Sequence, residues 1–180
     1  MDSCEMGKSW FAMRATYGRN LMAQRLLEMQ HIESFVPMRK RTVKLGRRIK
    51  TDMIPVVRDL IFVLSGRDEI QEAKSQIPYL HYITRPEQSK NVPIEVPDEQ
   101  MQHFIAVCNE MDDSAEMLSG ETSEFTVGQR VRVVRGAFKG VEGRLVKIEG
   151  KRSRRFVVAI EGIIAVSVSG IRPDDVESIE

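Results

Sequence analysis

The stretch Val127-Gly128-Gln129-Arg130-Val131-Arg132-Val133-Val134-Arg135-Gly136-Ala137-Phe138-Lys139-Gly140-Val141-Glu142-Gly143-Arg144-Leu145 sets the terms for the whole chain. Val131 and Val133 recur at every second position with Arg130 and Arg132 between them, the pattern of a strand with one buried and one wet face. Gly136, Gly140 and Gly143 then supply points where the backbone can take positive φ or pass close to a neighbouring strand. Leu145, Val146 and Ile148 resume the apolar pattern, so the outline is a tightly bent hairpin.

Working outward toward the C-terminus, Phe156 to Ile160 and Ile163 to Val168 alternate Val, Ile and Ala densely. Five short strands closing a small barrel over 124–180 are the natural expectation. Toward the N-terminus, the stretch from Glu110 to Glu124 is acidic, rich in small polar residues and without apolar period. It reads as a flexible linker, taken as 111–123.

Before that linker lies a body of mixed elements, expected over 9–110. Ser9 to Ala15 alternates large apolar with small or charged residues and reads as a strand. Arg19 to Gln30 is made of helix formers, with Met22, Leu26 and Met29 spaced as one inward stripe. Ile32 to Met38 is a second extended run. Leu60 to Leu64 is apolar enough for a central strand, and Pro55 keeps the residues before it at an edge or bend. Ser65-Gly66-Arg67-Asp68 fits a capping box that opens a helix carrying Ile70, Ala73 and Ile77 inward. Tyr79 to Thr84 and Val92 to Val96 return to strand. Pro97-Asp98-Glu99 opens a last helix with Met101, Phe104, Ile105 and Cys108 facing in. Helices and strands joined by short links make an α+β fold with a mainly antiparallel sheet flanked by helices.

Between the second and central strands the composition changes. Arg39, Lys40, Arg41, Lys44, Arg47, Arg48 and Lys50 place seven cations in twelve positions, with Gly46 where a hairpin would turn and no acidic residue from Met38 to Thr51. A protruding basic ribbon is expected, and phosphates would be drawn to it through counterion release. The formal net charge of +1 hides this unevenness. Residues 1–109 hold 16 Lys/Arg against 13 Asp/Glu, 110–123 none against 5, and 124–180 hold 11 against 8.

Several classes fall away. No run approaches the roughly 18 apolar residues that cross a bilayer. Met1 to Lys8 lacks a charged-then-apolar targeting pattern, so a cytoplasmic, membrane-free protein is expected. Cys4 and Cys108 are read as incidental thiols. His31, His81 and His103 are far apart with no metal spacing to either cysteine, and Gly136 to Gly143 lacks the Lys-Ser/Thr ending of a phosphate loop. No catalytic residue, cofactor or metal site is expected.

The glycine-punctuated segment 127–145 resembles a KOW motif, the start of a small SH3-like barrel, with Gly140 as its characteristic glycine. Five features together resemble the NusG family of transcription elongation and antitermination factors. They are the Trp10-Phe11 strand with Arg14 and Gly18, the strand-helix unit ending in Val36-Pro37, the ribbon, the Leu60 to Val63 strand, and this motif. Within the family the wording is closer to specialised paralogues such as RfaH and the UpxY-type antiterminators.

The resemblance implies a monomeric binding protein without chemistry of its own. Its N-terminal domain would lay an apolar patch on the clamp helices of RNA polymerase, through Trp10, Phe11, Val57, Leu60, Tyr79 and Leu80, and suppress pausing or termination. Arg14, Arg19, Asn20 and Arg25 would meet exposed non-template DNA or nascent RNA, alongside the ribbon cations. The KOW domain would recruit Rho or a small-subunit ribosomal protein through Gly136, Phe138, Gly140 and Val141. The chain departs from the family where many members carry an aromatic-Pro-Gly/Asn-Tyr turn, having Val57-Arg58-Asp59-Leu60 instead. The rival reading is a structural, ribosome-associated RNA-binding protein, with Lys151-Arg152-Ser153-Arg154-Arg155 tracking phosphates; the near-neutral charge and acidic stretch weigh against it.

Overall fold

A computed structural model describes residues 7–110, 115–118, 128–148, 152, 154–168 and 170–179. They form two compact units, 1–37 with 55–101 and 38–54 with 102–180. Cys4, Val127, Lys151, Ser153 and the acidic residues at 111–114 and 119–124 lie outside the described residues.

In the first unit, β1 (Ser9–Ala15) lies antiparallel to β5 (Leu60–Ser65), with Trp10 opposite Leu64 and Ala12 opposite Phe62. On the far side of β5 runs β2 (Glu33–Phe35), and β1 also pairs with β6 (Leu80–Tyr82) and β9 (Glu95–Val96). Every pairing is antiparallel, as expected, and β5 is central. Trp10 to Met13 and Leu60 to Val63 are buried consecutively, so this sheet is covered on both faces. Each large apolar side chain removed from water there contributes roughly 1.5–3 kcal/mol.

The capping signal held with a shift of one residue. Glu69, not Asp68, reaches back to accept from Gly66 N–H at 3.3 Å and from the Ser65 hydroxyl at 2.7 Å. Helix α2 (Arg67–Gln76) follows, with Ile70 and Ala73 buried, and Ile77 just past its end. One hairpin was not foreseen. β7 (Thr84–Glu87) and β8 (Lys90–Pro93) pair across Gln88 and Ser89, both at positive φ. Helix α3 (Asp98–Asn109) buries Met101, Phe104, Val107 and Cys108, while Ile105 is only half-buried. Burial pushes the Cys108 thiol up to about 12.

The inward stripe expected on the first helix is corrected. In α1 (Asn20–Met29) the buried positions are Asn20, Ala23 and Leu27, whereas Met22 and Met29 are exposed and Leu26 is half-buried. The spacing of three and four is kept, but the inward face is turned by one residue. The small Ala23 and the hydrogen-bonding Asn20 lie on the buried face, which leaves the long methionines outside.

The second unit is all-β beyond α3. Its sheet runs in the order β10 (Ala115–Met117), β14 (Ile164–Val168), β13 (Arg154–Ile160), β12 (Glu142–Lys147), β11 (Gln129–Val133), β15 (Val176–Ser178). The five strands expected over 124–180 are present as β11 to β15, and part of the acidic stretch adds a sixth by pairing with β14. The linker reading is therefore corrected at 115–118. Main-chain pairing and the apolar Leu118, packed against Val146, Val157 and Ala165, outweigh the acidic composition. Gly143 is needed for packing: a Cβ there would lie 2.6 Å from Val157 O and 2.7 Å from the Phe156 ring.

Among the described residues no helix is long and apolar enough to cross a membrane.

Candidate nucleic-acid interface

The basic segment forms the expected ribbon. β3 (Met38–Leu45) and β4 (Arg48–Pro55) pair with each other and, among the described residues, with no other strand, turning at Gly46 and Arg47. Its base is closed by Val56 N–H donating to Pro37 O at 2.8 Å. Not one of the sixteen strand residues is buried. The Thr42 and Thr51 hydroxyls meet at 3.3 Å across the ribbon, so Thr42 and Thr51 share a face. Among the described residues only Lys50, of the seven cations, meets a carboxylate, Asp52 at 3.1 Å. Apolar side chains are interleaved with them: Val43, Leu45, Ile49 and Met53 are all exposed. Charge and exposed aliphatic side chains therefore share the surface of the ribbon.

The second element is the passage from β1 into α1. Tyr17 sits at φ 64 and is 81% exposed. The Arg19 guanidinium lies 3.9 Å from the centre of the Tyr79 ring and 5.3 Å from that of Tyr17, between two aromatic faces. Gly18 N–H donates to Asp59 Oδ1 at 2.7 Å, and Arg58 lies along Gly18. Asn20, 1% exposed, donates through Nδ2 to Val57 O and Leu60 O, both at 3.2 Å. These bonds clip the 57–60 segment onto the helix start.

Asn20 is thus corrected from a reader of bases to an internal clip, because it is itself buried and its amide group is used on the main-chain carbonyls of Val57 and Leu60. Arg14 and Arg25 are exposed, and Arg19 is half-buried under its stacking partners. The expected polymerase patch is corrected more heavily. Trp10, Phe11, Leu60 and Leu80 are all 4% exposed or less, so they build the core and present no surface. Trp10 Nε1 donates to Asp98 Oδ1 at 3.2 Å, which uses its polar edge as well. Phe11 stacks edge-on against Tyr82 with ring centres 5.5 Å apart. Val57 is 38% exposed and Tyr79 half-buried. The apolar surface in this neighbourhood is made instead by Tyr17, Leu21 and Val57, with Met22 next along the helix. Tyr17 and Leu21 were missed. The signal available was the Tyr-Gly pair between strand and helix, which demands a left-handed bend and leaves the tyrosine nowhere to bury.

In the second unit the turn at 134–141 is closed by Gly140 N–H donating to Val133 O at 2.7 Å and Val133 N–H to Val141 O at 2.9 Å. Gly136 and Gly140 are exposed at positive φ. Phe138 is half-buried, but Val141 is 6% exposed and belongs to the core, which corrects its assignment as a contact residue. Arg132 is bracketed by Glu142 and Glu177, and the Glu142 hydrogen bond raises its pKa. Lys147 and Arg154 stand directly opposite on β12 and β13. Among the described residues no group of His, Cys, Asp and Glu could hold a metal ion.

A family model described as transcription termination factor nusG matches residues 8–105, and a KOW motif model matches residues 127–161. A solved structure described as "Domain interaction in Thermotoga maritima NusG" is similar over 97% of this chain and 99% of its own. Its sequence identity is 19% and its TM-score 0.47.

Proposed function

Because the chain belongs to the NusG family, it is a transcription elongation or termination factor, and we propose that it suppresses pausing or termination from a seat on RNA polymerase. In this reading residues 9–110 bind the polymerase clamp helices, and residues 124–180 recruit a second factor, Rho or a small-subunit ribosomal protein. The clamp contact is carried by Leu21, Met22 and Val57, with Arg58 beside them, since Trp10, Phe11, Leu60 and Leu80 are interior and Tyr79 lies under Arg19. Their affinity would rest on a few apolar anchors laid against helices.

The observation that carries the reading is the ribbon: two strands with no buried residue and cations that find one carboxylate among seven. Beside the polymerase it would track the non-template DNA strand or nascent RNA, with Arg19 and Tyr17 as a stacking pair for an unpaired base. The Lys147 and Arg154 pair favours a second reading, a ribosome-associated RNA binder, since like charges opposed across a ladder are stabilised by an anion.

A pull-down of the full chain on immobilised clamp helices separates the two. Retention that is lost in Leu21→Asp with Val57→Asp supports the polymerase reading. An empty bait, with binding to ribosomal RNA intact, supports the second.

A further inference from the structure

The ribbon ends in a tip as narrow as a hairpin allows. Gly46, at φ 63, takes the first central position of a two-residue turn between Leu45 and Arg48, as glycine does in type II′ turns. The Thr42 hydroxyl meeting that of Thr51, and Val56 N–H donating to Pro37 O, fix one register for the whole ribbon. That register places Leu45 opposite Arg48 and Lys44 opposite Ile49. Opposed residues share a face and successive residues alternate, so Leu45 with Arg48 lies on one face of the tip and Ile49 with Lys44 on the other.

Leu45 is 61% exposed and Ile49 68%, more than Val43 and Met53 nearer the base. A hairpin that lives in water gains nothing from aliphatic side chains at its tip, where polar residues would guard the open strands. The two faces repeat one arrangement, an aliphatic side chain beside a cation. A ribbon laid flat on a single surface needs apolar residues on one face only; a ribbon pushed between two surfaces needs them on both. Neither Lys44 nor Arg48 meets a carboxylate among the described residues, since the one ion pair of the ribbon joins Lys50 to Asp52. Both surfaces that it fits are therefore anionic.

We propose that the ribbon tip is a wedge for the junction at which a nucleic-acid duplex opens into two single strands. Each separated strand runs along one face of the tip, its first unpaired base against Leu45 or Ile49 and its phosphates beside Arg48 or Lys44. Aliphatic side chains inserted at a base step unstack it, and the cations hold the two backbones that the split brings near the protein. This rests on the reading that the ribbon meets nucleic acid, and it adds the structure preferred: a fork over a uniform duplex or a single strand.

The test titrates the full chain, without polymerase and at low salt, against a DNA fork, an RNA fork, and a duplex and a single strand of matching length, read by fluorescence anisotropy. A fork should bind at least about tenfold tighter than the duplex or the single strand. The DNA and RNA arms separate the edge of melted DNA from the base of an RNA hairpin as the source of that junction. A fluorescent base analogue in the pair next to the junction should brighten as the pair unstacks. Leu45→Thr with Ile49→Thr keeps strand propensity, and should abolish the brightening and bring fork and duplex within about twofold of each other. Leu45→Ile with Ile49→Leu should restore both readouts. If neither fork is preferred, or the threonine variant keeps the preference, the wedge is overturned while the ribbon's contact with nucleic acid stands. Binding to none of the four ligands overturns both. Phosphatidylglycerol vesicles form the last arm: should they bind where the forks do not, the aliphatic side chains serve a lipid surface and the wedge is lost.

Discussion

Two strand pairs of the same chain behave in opposite ways. Between β1 and β5, Trp10, Phe11, Ala12 and Met13 face Leu64, Val63, Phe62 and Ile61 in register, and nearly all are withdrawn from water. Between β3 and β4 nothing is withdrawn, and cations alternate with apolar residues on open surface. A lone two-stranded ribbon is marginally stable in water. Its sequence therefore reflects something other than the needs of the core. Desolvation governs the first pair, where a charge would cost several kcal/mol. It is absent from the second, so seven cations sit there at little cost, and among the described residues all but Lys50 remain available to an anionic partner.

The contrast is broken most directly by truncation. Phe62→Ala should cost about 3–5 kcal/mol, as expected for a large aromatic lost from a packed interior. Ile49→Ala on the ribbon should stay within about 0.5 kcal/mol, as for a surface site. Urea unfolding midpoints compare the two, and similar losses would mean that the ribbon is held by contacts beyond its own pairing. Charged residues at Phe11 or Leu60 belong with Phe62: they should unfold the first unit rather than strip polymerase binding from an intact fold.

Next in size is the charge of the ribbon. Replacing Arg39, Lys40, Arg41, Lys44, Arg47, Arg48 and Lys50 with Gln should leave the unfolding midpoint where it was. It should also lower the slope of log affinity against log salt for an elongation complex by up to about 6, given a slope of roughly 0.7–0.9 per phosphate contact. An unaltered slope would demote the ribbon to a device for solubility.

Asn20→Ala sharpens the comparison at the boundary between interior and surface. It leaves the buried bond to Leu60 O and the part-buried bond to Val57 O without their donor, and should cost about 1–3 kcal/mol. Clamp-helix binding should weaken further than that stability loss explains, since Val57 is no longer held. Equal retention on the bait by Asn20→Ala and the unmodified chain would separate the 57–60 segment from polymerase contact.

What was legible in advance follows the same division. Strong alternation and apolar runs placed β1, β5, α2 and α3, because burial of long apolar runs leaves few alternatives, whereas dense cations around Gly46 placed the ribbon. The site was legible only where charge was dense. Trp10, Phe11, Leu60 and Leu80 were assigned to the surface because an apolar residue near an expected contact looks the same in sequence whether it faces in or out. Only the register against β5 decides that. The inward face of α1 was misjudged for a related reason. Met22, Leu26 and Met29 satisfy helical spacing as well as Asn20, Ala23 and Leu27 do, and a buried asparagine is recognised only once its carbonyl partners are known. The β10 strand was invisible because a strand added to an edge is stabilised by main-chain bonds, which composition does not record.

The smallest expected change lies at Tyr17. A tyrosine at φ 64 holds a conformation that favours glycine, and its ring is almost wholly in water, so the fold gains little from the side chain. Tyr17→Gly removes the left-handed strain but loosens the unfolded chain, and the two effects oppose each other. Stability should therefore move by less than about 1 kcal/mol. Binding to single-stranded nucleic acid in the elongation complex should fall by roughly the 1–3 kcal/mol that one aromatic stacking contact supplies. Tyr17→Phe separates stacking from hydroxyl contacts, because it keeps the ring and should keep the affinity. A Tyr17→Gly chain that binds as tightly as the parent would leave the strained tyrosine without a role at the nucleic acid, and Arg19 would then be held for Tyr79 alone.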